Sequence, residues 1–284
     1  MIVATLLWST AGVVTRQLDS AGSFEATFWR SAFNAIALVA LLVALRGRRH
    51  LVVTLRTGGP VLWLSGLCWA VMFTAFMVAM TLASVANVLV TMALAPLVTA
   101  LLARAALGHR LPARTWGAVV VAGAGIAWMY AHEVAAADPR QIAGTVVALA
   151  VPLAAAINWT VIQKSGKHGD LLPAVLVGAI VSSAVAVLPS LPLAASLHDV
   201  GLLAFLGVAQ LAIPCLMAVA AARSLDAAEV ALLSLLEIVF GVTWTWLGAG
   251  ESPGAHVIVG GALVIGALVA NESIALRHSR QRQR

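Results

Sequence analysis

Charge is scarce in this chain. Only 10% of its 284 residues are Asp, Glu, Lys or Arg, while 62% are hydrophobic. A soluble domain carries about 25% charged and roughly 45–50% apolar residues, so a water-soluble globule is excluded. Disorder is excluded too, because disordered chains are poor in apolar types. Cysteine is nearly absent: Cys68 and Cys215 are the two, each inside an apolar run. They offer no disulfide framework and read as small buried hydrophobes. The opening residues, Met1 to Val14, lack the basic lead-in of a signal peptide and read as a first membrane span.

What is present is hydrophobic length, with a mean hydropathy of +1.00. Each span takes roughly 20 apolar residues. Apolar runs set against their punctuation predict ten helices, at about 1–17, 23–45, 59–82, 85–107, 114–131, 140–164, 171–189, 198–222, 227–249 and 254–274. The runs do not alternate, which argues against an outer-membrane barrel.

The net charge is +6. In a soluble protein that would suggest nucleic acid, but here the basic residues fall between spans. Arg46, Arg48, Arg49, Arg56, Arg104, Arg110, Arg114, Lys164, Lys167, Arg223, Arg277, Arg280, Arg282 and Arg284 share one predicted side. Only Arg16 and Arg140 fall on the other. The positive-inside rule then puts both termini in the cytoplasm. The expected location is a bacterial-type inner membrane.

The stretch Val88–Met129 resembles Val230–Asn271. Gly108 aligns with Gly250 and, after one insertion, Gly117 and Gly123 align with Gly260 and Gly266. The chain therefore divides into two five-helix units, 1–131 and 140–274, followed by a basic tail, 275–284. Five is odd, so the second unit enters the membrane from the opposite side. Inverted repeats are a recurring design of secondary transporters, with the substrate site near the midplane.

Four segments sharpen this. "LLWSTAGVVTRQL" at Leu6–Leu18, "FWRSAFNAIAL" at Phe28–Leu38, "APLVTALLARAALGHRL" at Ala95–Leu111 and "LLSLLEIVFGVTWTWLGAGESP" at Leu232–Pro253 resemble the EamA family of the drug/metabolite transporter superfamily. The resemblance implies a ten-helix carrier that exports amino acids or other small metabolites. It also implies a central cavity walled by helices one, three, four, six, eight and nine. One departure is visible: Gly108-His109-Arg110 stands where the family usually has Gly-Glu-Arg, whereas Gly250-Glu251 keeps the pattern. His109 lies at a loop edge, so the expected effect is on capping or surface charge.

Enzyme and pump signatures do not occur. Gly166-Lys167 has Val161 where a phosphate loop needs its first Gly, and His168 where it needs Ser or Thr. The seven His show no metal-ligand spacing, and no nucleophile elbow is present. The expectation is a non-enzyme without cofactor or metal. Its partners are a small-molecule substrate and membrane lipid, not nucleic acid, and it is a monomer or homodimer. The alternative function is lipid handling of a scramblase-like kind, or a helix bundle that transports nothing. An apolar lateral opening would favour lipid; a sealed polar cavity favours a soluble solute.

Glu237 is the sharpest candidate. It lies near the centre of helix nine, where an unpartnered carboxylate costs several kcal/mol. Helical spacing puts it on a face with Leu233, Phe240 and Trp244. Two readings stand: a cavity carboxylate that binds a substrate amine or exchanges a proton, or a hydrogen-bonded bridge between helices. Arg30, roughly 10 Å into helix two, either attracts a substrate carboxylate, or snorkels to the headgroups or braces the short first loop. Trp8 on helix one has a counterpart in Asn158 and Trp159 on helix six. Phe73, Phe76 and Met80 share a stripe with Trp69 that reads as packing or as an adaptable pocket. Asn87 and Gln210 need polar partners in hydrocarbon, which a wet cavity would supply. Soft Met beside flat rings suits apolar or aromatic solutes, which includes the aromatic members of the amino-acid class that the resemblance implies. Pro96, Pro152 and Pro214 free the carbonyls of Met92, Ala148 and Gln210, as hinges or as simple curvature. The small-residue faces of helices five and ten suit close packing or an oligomer contact.

Overall fold

Long Ala/Leu-rich runs with few breakers become helices, and helices are the regular elements found among the described residues. The computed structural model describes residues 1–95, 97–98, 101–102, 113–135, 138–165, 170–221 and 236–282. In chain order the elements are α1 (Ile2–Trp8), α2 (Thr10–Thr15), α3 (Ser23–Arg46), α4 (Arg48–Thr57), α5 (Gly59–Leu82), α6 (Val85–Met92) and α7 (Ala113–Ala135). There follow α8 (Pro139–Ala148), α9 (Ala150–Ser165), α10 (Leu172–Val187), α11 (Leu197–Phe205), a π-helical turn (Leu206–Ala212), α12 (Ile213–Ala221), α13 (Leu236–Ala249) and α14 (Ala255–Arg282).

Three predicted helices are broken, each for a local reason. The first divides at Ser9, where Thr5, Ser9 and Thr10 each donate a hydroxyl to the carbonyl three residues back. Such back-bonding competes with the helical ladder and bends it. The sixth divides between α8 and α9 at Leu149, just past Ala148, whose carbonyl Pro152 leaves unbonded. The eighth passes through the π-helical turn, which contains Gln210 and ends just before Pro214. On the fourth, α6 ends at Met92, the carbonyl expected to lose its partner to Pro96; Pro96 itself lies outside the described residues.

Two further differences concern the basic segments. Residues 46–58, read as a loop, contain α4, which buries Leu51 and lays Leu55 against a core cluster while its Arg residues stay exposed. A helix with so narrow an apolar side lies along a surface. The last helix continues to Arg282, through most of the run read as a tail.

The packing centres on α5, which contacts α3, α8, α9 and α10. Contact with α10 is backbone-close. A Cβ on Gly178 would stand 2.3 Å from Cβ of Trp69, and one on Gly66 would stand 2.5 Å from Cγ1 of Val177. Elsewhere α13 packs on α2 and α6, and α7 packs on α14. In that last pair a Cβ on Gly125 would meet the Gly260 carbonyl at 2.8 Å, as the small-residue faces of helices five and ten anticipate. Asp138 caps α8, accepting from the Arg140 and Gln141 amides at 3.0 and 3.3 Å. The Gln141 amide bond is the main cause holding its carboxyl below the ordinary range.

The polarity is inverted relative to a soluble protein. Asn34, Asn158 and Ser182 are fully buried, while Leu188 and Leu247 are more than 70% exposed. An apolar exterior of this kind needs a hydrocarbon solvent. Among the described residues, Ser23–Arg46, Gly59–Leu82, Pro139–Asn158 and Leu197–Ala218 are long and apolar enough to cross a bilayer. The chain is a multi-pass membrane protein.

Candidate functional site

Arg30 and Gln210 form the polar centre. Arg30 is 2% exposed and points inward from α3, so it does not snorkel to the headgroups, correcting that expectation. The reason is that a partner lies within the helix layer: Nη2 donates to Oε1 of Gln210 at 2.9 Å. Its other hydrogen-bonding contact is Sδ of Met77, 3.8 Å from Nη1, and the guanidinium lies over the Phe76 ring at 5.1 Å. A cation on an aromatic face gains about 2 kcal/mol when desolvated. Gln210 in turn donates through Nε2 to the Trp8 carbonyl at 3.2 Å. The π-helical turn aims this side chain, as such turns often do at functional positions.

Glu237 lies on α13, half-buried, and interacts electrostatically with both Arg30 and Cys215. The cation from α3 and the carboxylate from α13 are therefore near enough to feel one another's charge. Trp244, two turns along α13, donates from Nε1 to Oγ of Ser9 at 3.2 Å. That ties α13 to the break between α1 and α2. Trp8 packs on the apolar cluster that includes Phe73, Leu211 and Cys215.

The other predicted residues separate. Phe76 belongs to the centre through Arg30, whereas Phe73 is 4% exposed and tilts against Trp69 at 5.5 Å, in the packed seam beside α10. Met80 is fully buried in the core, and its carbonyl serves Arg16. Both lie within packed apolar clusters, since α5 carries apolar surface on several sides. Asn158 accepts from Oγ of Ser65 at 2.7 Å and, among the described residues, leaves Nδ2 without a partner. Asn87 likewise leaves Oδ1 without one among them. The side chain of Trp159 lies outside the described residues. Pro152 and Pro214 are buried.

Sequence reasoning passed over Asn34, one turn beyond Arg30 on α3. It is fully buried, and neither its Oδ1 nor its Nδ2 has a partner among the described residues; Nε of Arg30 is likewise unpartnered. Asn34 follows Arg30 by four residues, and that spacing was the signal available. Unmet buried polar atoms each cost roughly 1–3 kcal/mol, so these groups mark where a polar solute or water would be held.

Asp19, His198 and Asp199 bring potential ligand atoms together away from this centre. Asp199, fully buried, already accepts from the Asp19, Ser20 and Ala21 amides, each at 2.9 Å. Its oxygens hold a loop.

A family model described as the EamA-like transporter family matches residues 1–131 and 142–271. No curated protein matches. Among solved structures, one described only as "Crystal structure of protein" is similar over 97% of this chain and 96% of its own, with a TM-score of 0.65. The two are 19% identical, so this likeness speaks to the fold alone.

Proposed function

We propose, since this chain belongs to the EamA-like transporter family of the drug/metabolite transporter superfamily, that it is a secondary carrier exporting small metabolites by alternating access. Amino acids, aromatic ones included, are the leading substrate class. The observation that carries this is the juxtaposition of buried Arg30 with half-buried Glu237 across the α3–α13 centre. A zwitterion presents a carboxylate to the first and an ammonium to the second, while the Phe76 ring offers its side chain an apolar face. The unpartnered amide of Asn34 supports a polar solute over a lipid tail. The carrier is read as ten spanning helices in two inverted five-helix repeats. Pro152 and Pro214 give flexure where helices divide.

The test is uptake into proteoliposomes across a panel of labelled amino acids, with and without a pH gradient. Saturable uptake of zwitterionic amino acids, weaker for their amides and N-acetyl derivatives, is the expected result. Equal flux of phospholipid analogues with no amino-acid uptake would favour the lipid-handling alternative.

Orientation belongs to the same proposal: an inner-membrane protein with both termini cytoplasmic, on the strength of the basic bias. A Cys-free version carrying Cys at position 52 should be labelled by an impermeant thiol reagent from the cytoplasmic side. The same version with Cys at position 20 should be labelled from the other side. Reversal of both patterns would overturn the assignment.

A further inference from the structure

We propose that Arg16 and Glu251 form a releasable clasp that closes the face opposite the Arg-rich end, by gripping the elbow between α5 and α6. Resting on the carrier reading, this names the contact that opens.

Arg16 follows α2 and Glu251 follows α13. These helices pack on each other, and Nε2 of Gln17 reaches the Gly248 carbonyl, so both charges ride on one body. Nε of Arg16 donates to Oε2 of Glu251. The remaining bonds reach across to the elbow. Nη1 donates to the Met80 carbonyl at 2.8 Å and Nη2 to the Ala83 carbonyl at 2.7 Å. Oε1 of Glu251 accepts the Val85 amide at 2.8 Å. Gly12, one turn before Arg16, lets α2 lie against Val85, since a Cβ there would stand 2.5 Å from Cγ1.

The charges suit their places. Met80 and Ala83 carry carbonyls at the negative end of α5, and Val85, at the positive start of α6, carries an amide that has no acceptor within its own helix. A guanidinium meets the first and a carboxylate the second. If the elbow moves away, Arg16 and Glu251 still neutralise one another and water takes up the freed groups. Both side chains are about one-quarter exposed, so neither is stranded as a buried ion.

Neighbouring contacts on this face differ. Asp199, fully buried, accepts three backbone amides of residues 19–21. Glu25, 4% exposed, accepts the Ala194 and Ala195 amides at 2.8–2.9 Å. Releasing either would leave a buried carboxylate bare, at a cost of several kcal/mol. Those two ties act as the fixed hinge, and the Arg16–Glu251 clasp as the side that opens.

The test reads accessibility, not transport. With Cys68 replaced by Ala, Cys215, buried within electrostatic reach of Arg30 and Glu237, is the sole thiol. An impermeant maleimide is applied to sealed vesicles of both orientations. Arg16→Gln and Glu251→Gln should each raise Cys215 labelling from the Glu251 face about tenfold, the shift expected when roughly one charge-assisted hydrogen bond is lost from a two-state equilibrium. Should Arg16→Gln fail to fold, Arg16→Lys keeps the charge but cannot span both carbonyls, and should show the same rise in part. The reversed pair Arg16→Glu/Glu251→Arg should stay open, because each charge then faces the wrong helix end. Parental labelling in the folded single variants, or restored protection in the reversed pair, overturns the clasp. Raised labelling in a protein that transports nothing would instead fault the carrier reading and leave the clasp standing.

Discussion

Reconstituted Glu237→Gln is expected to fold with its thermal transition unchanged and to transport at least about tenfold more slowly than the parent. The substitution keeps size and hydrogen-bonding ability but removes the charge. Glu237 is half-buried, and a neutral amide there strands no ion. Transport is affected differently. A substrate ammonium about 4 Å from a carboxylate is attracted by roughly 4 kcal/mol at an effective dielectric near 20, and tenfold corresponds to only about 1.4 kcal/mol of this. If Glu237 were a bridge between helices, Gln would satisfy the same bonds and transport would survive. Parental rate and affinity in the reconstituted variant would remove Glu237 from the site.

Arg30→Met is expected to have the larger effect on transport, about tenfold to a hundredfold, with little loss of folded yield. Hydrogen bonds to charged groups contribute about 1.5–3 kcal/mol each, and a guanidinium can offer a carboxylate two. Met fills a similar apolar volume over Phe76 and beside Met77, so the loss of stability is confined mainly to the bond to Gln210, about 1.5–3 kcal/mol. The structural alternative predicts otherwise. A residue that only braces α3 against Gln210 would, on removal, lower the melting temperature while each folded molecule transported normally. Arg30→Lys separates the two further: an ammonium retains charge but cannot bond Gln210 and a carboxylate in one plane, so it should not restore transport. A stable Arg30→Lys protein with parental kinetics would sink the proposed role.

How much of this was legible beforehand differs by residue. Helix positions were, because apolar length has a single use in this composition: α3 and α5 lie where the runs at 23–45 and 59–82 placed them. The interruptions near Met92, Ala148 and Gln210 were legible as well, since proline chemistry acts on a carbonyl four residues away in the same chain. The break at Ser9 and the surface helix α4 were harder. The first depends on which rotamers three hydroxyls choose, and the second on a narrow apolar stripe within a basic segment.

The amino-acid order by itself determined a multi-pass helical membrane protein of two related halves, because hydropathy, charge bias and internal similarity are all local or repeated signals. The partners of each polar side chain were decided only by tertiary structure. Arg30 and Gln210 are 180 residues apart and Arg16 and Glu251 are 235 apart, so no periodicity relates them. Phe73 and Phe76 illustrate the same point on one helix. They lie on a common stripe of α5, yet α10 covers one while the Arg30 cation covers the other. Spacing along a helix says which residues share a face; what stands opposite that face depends on how distant helices pack.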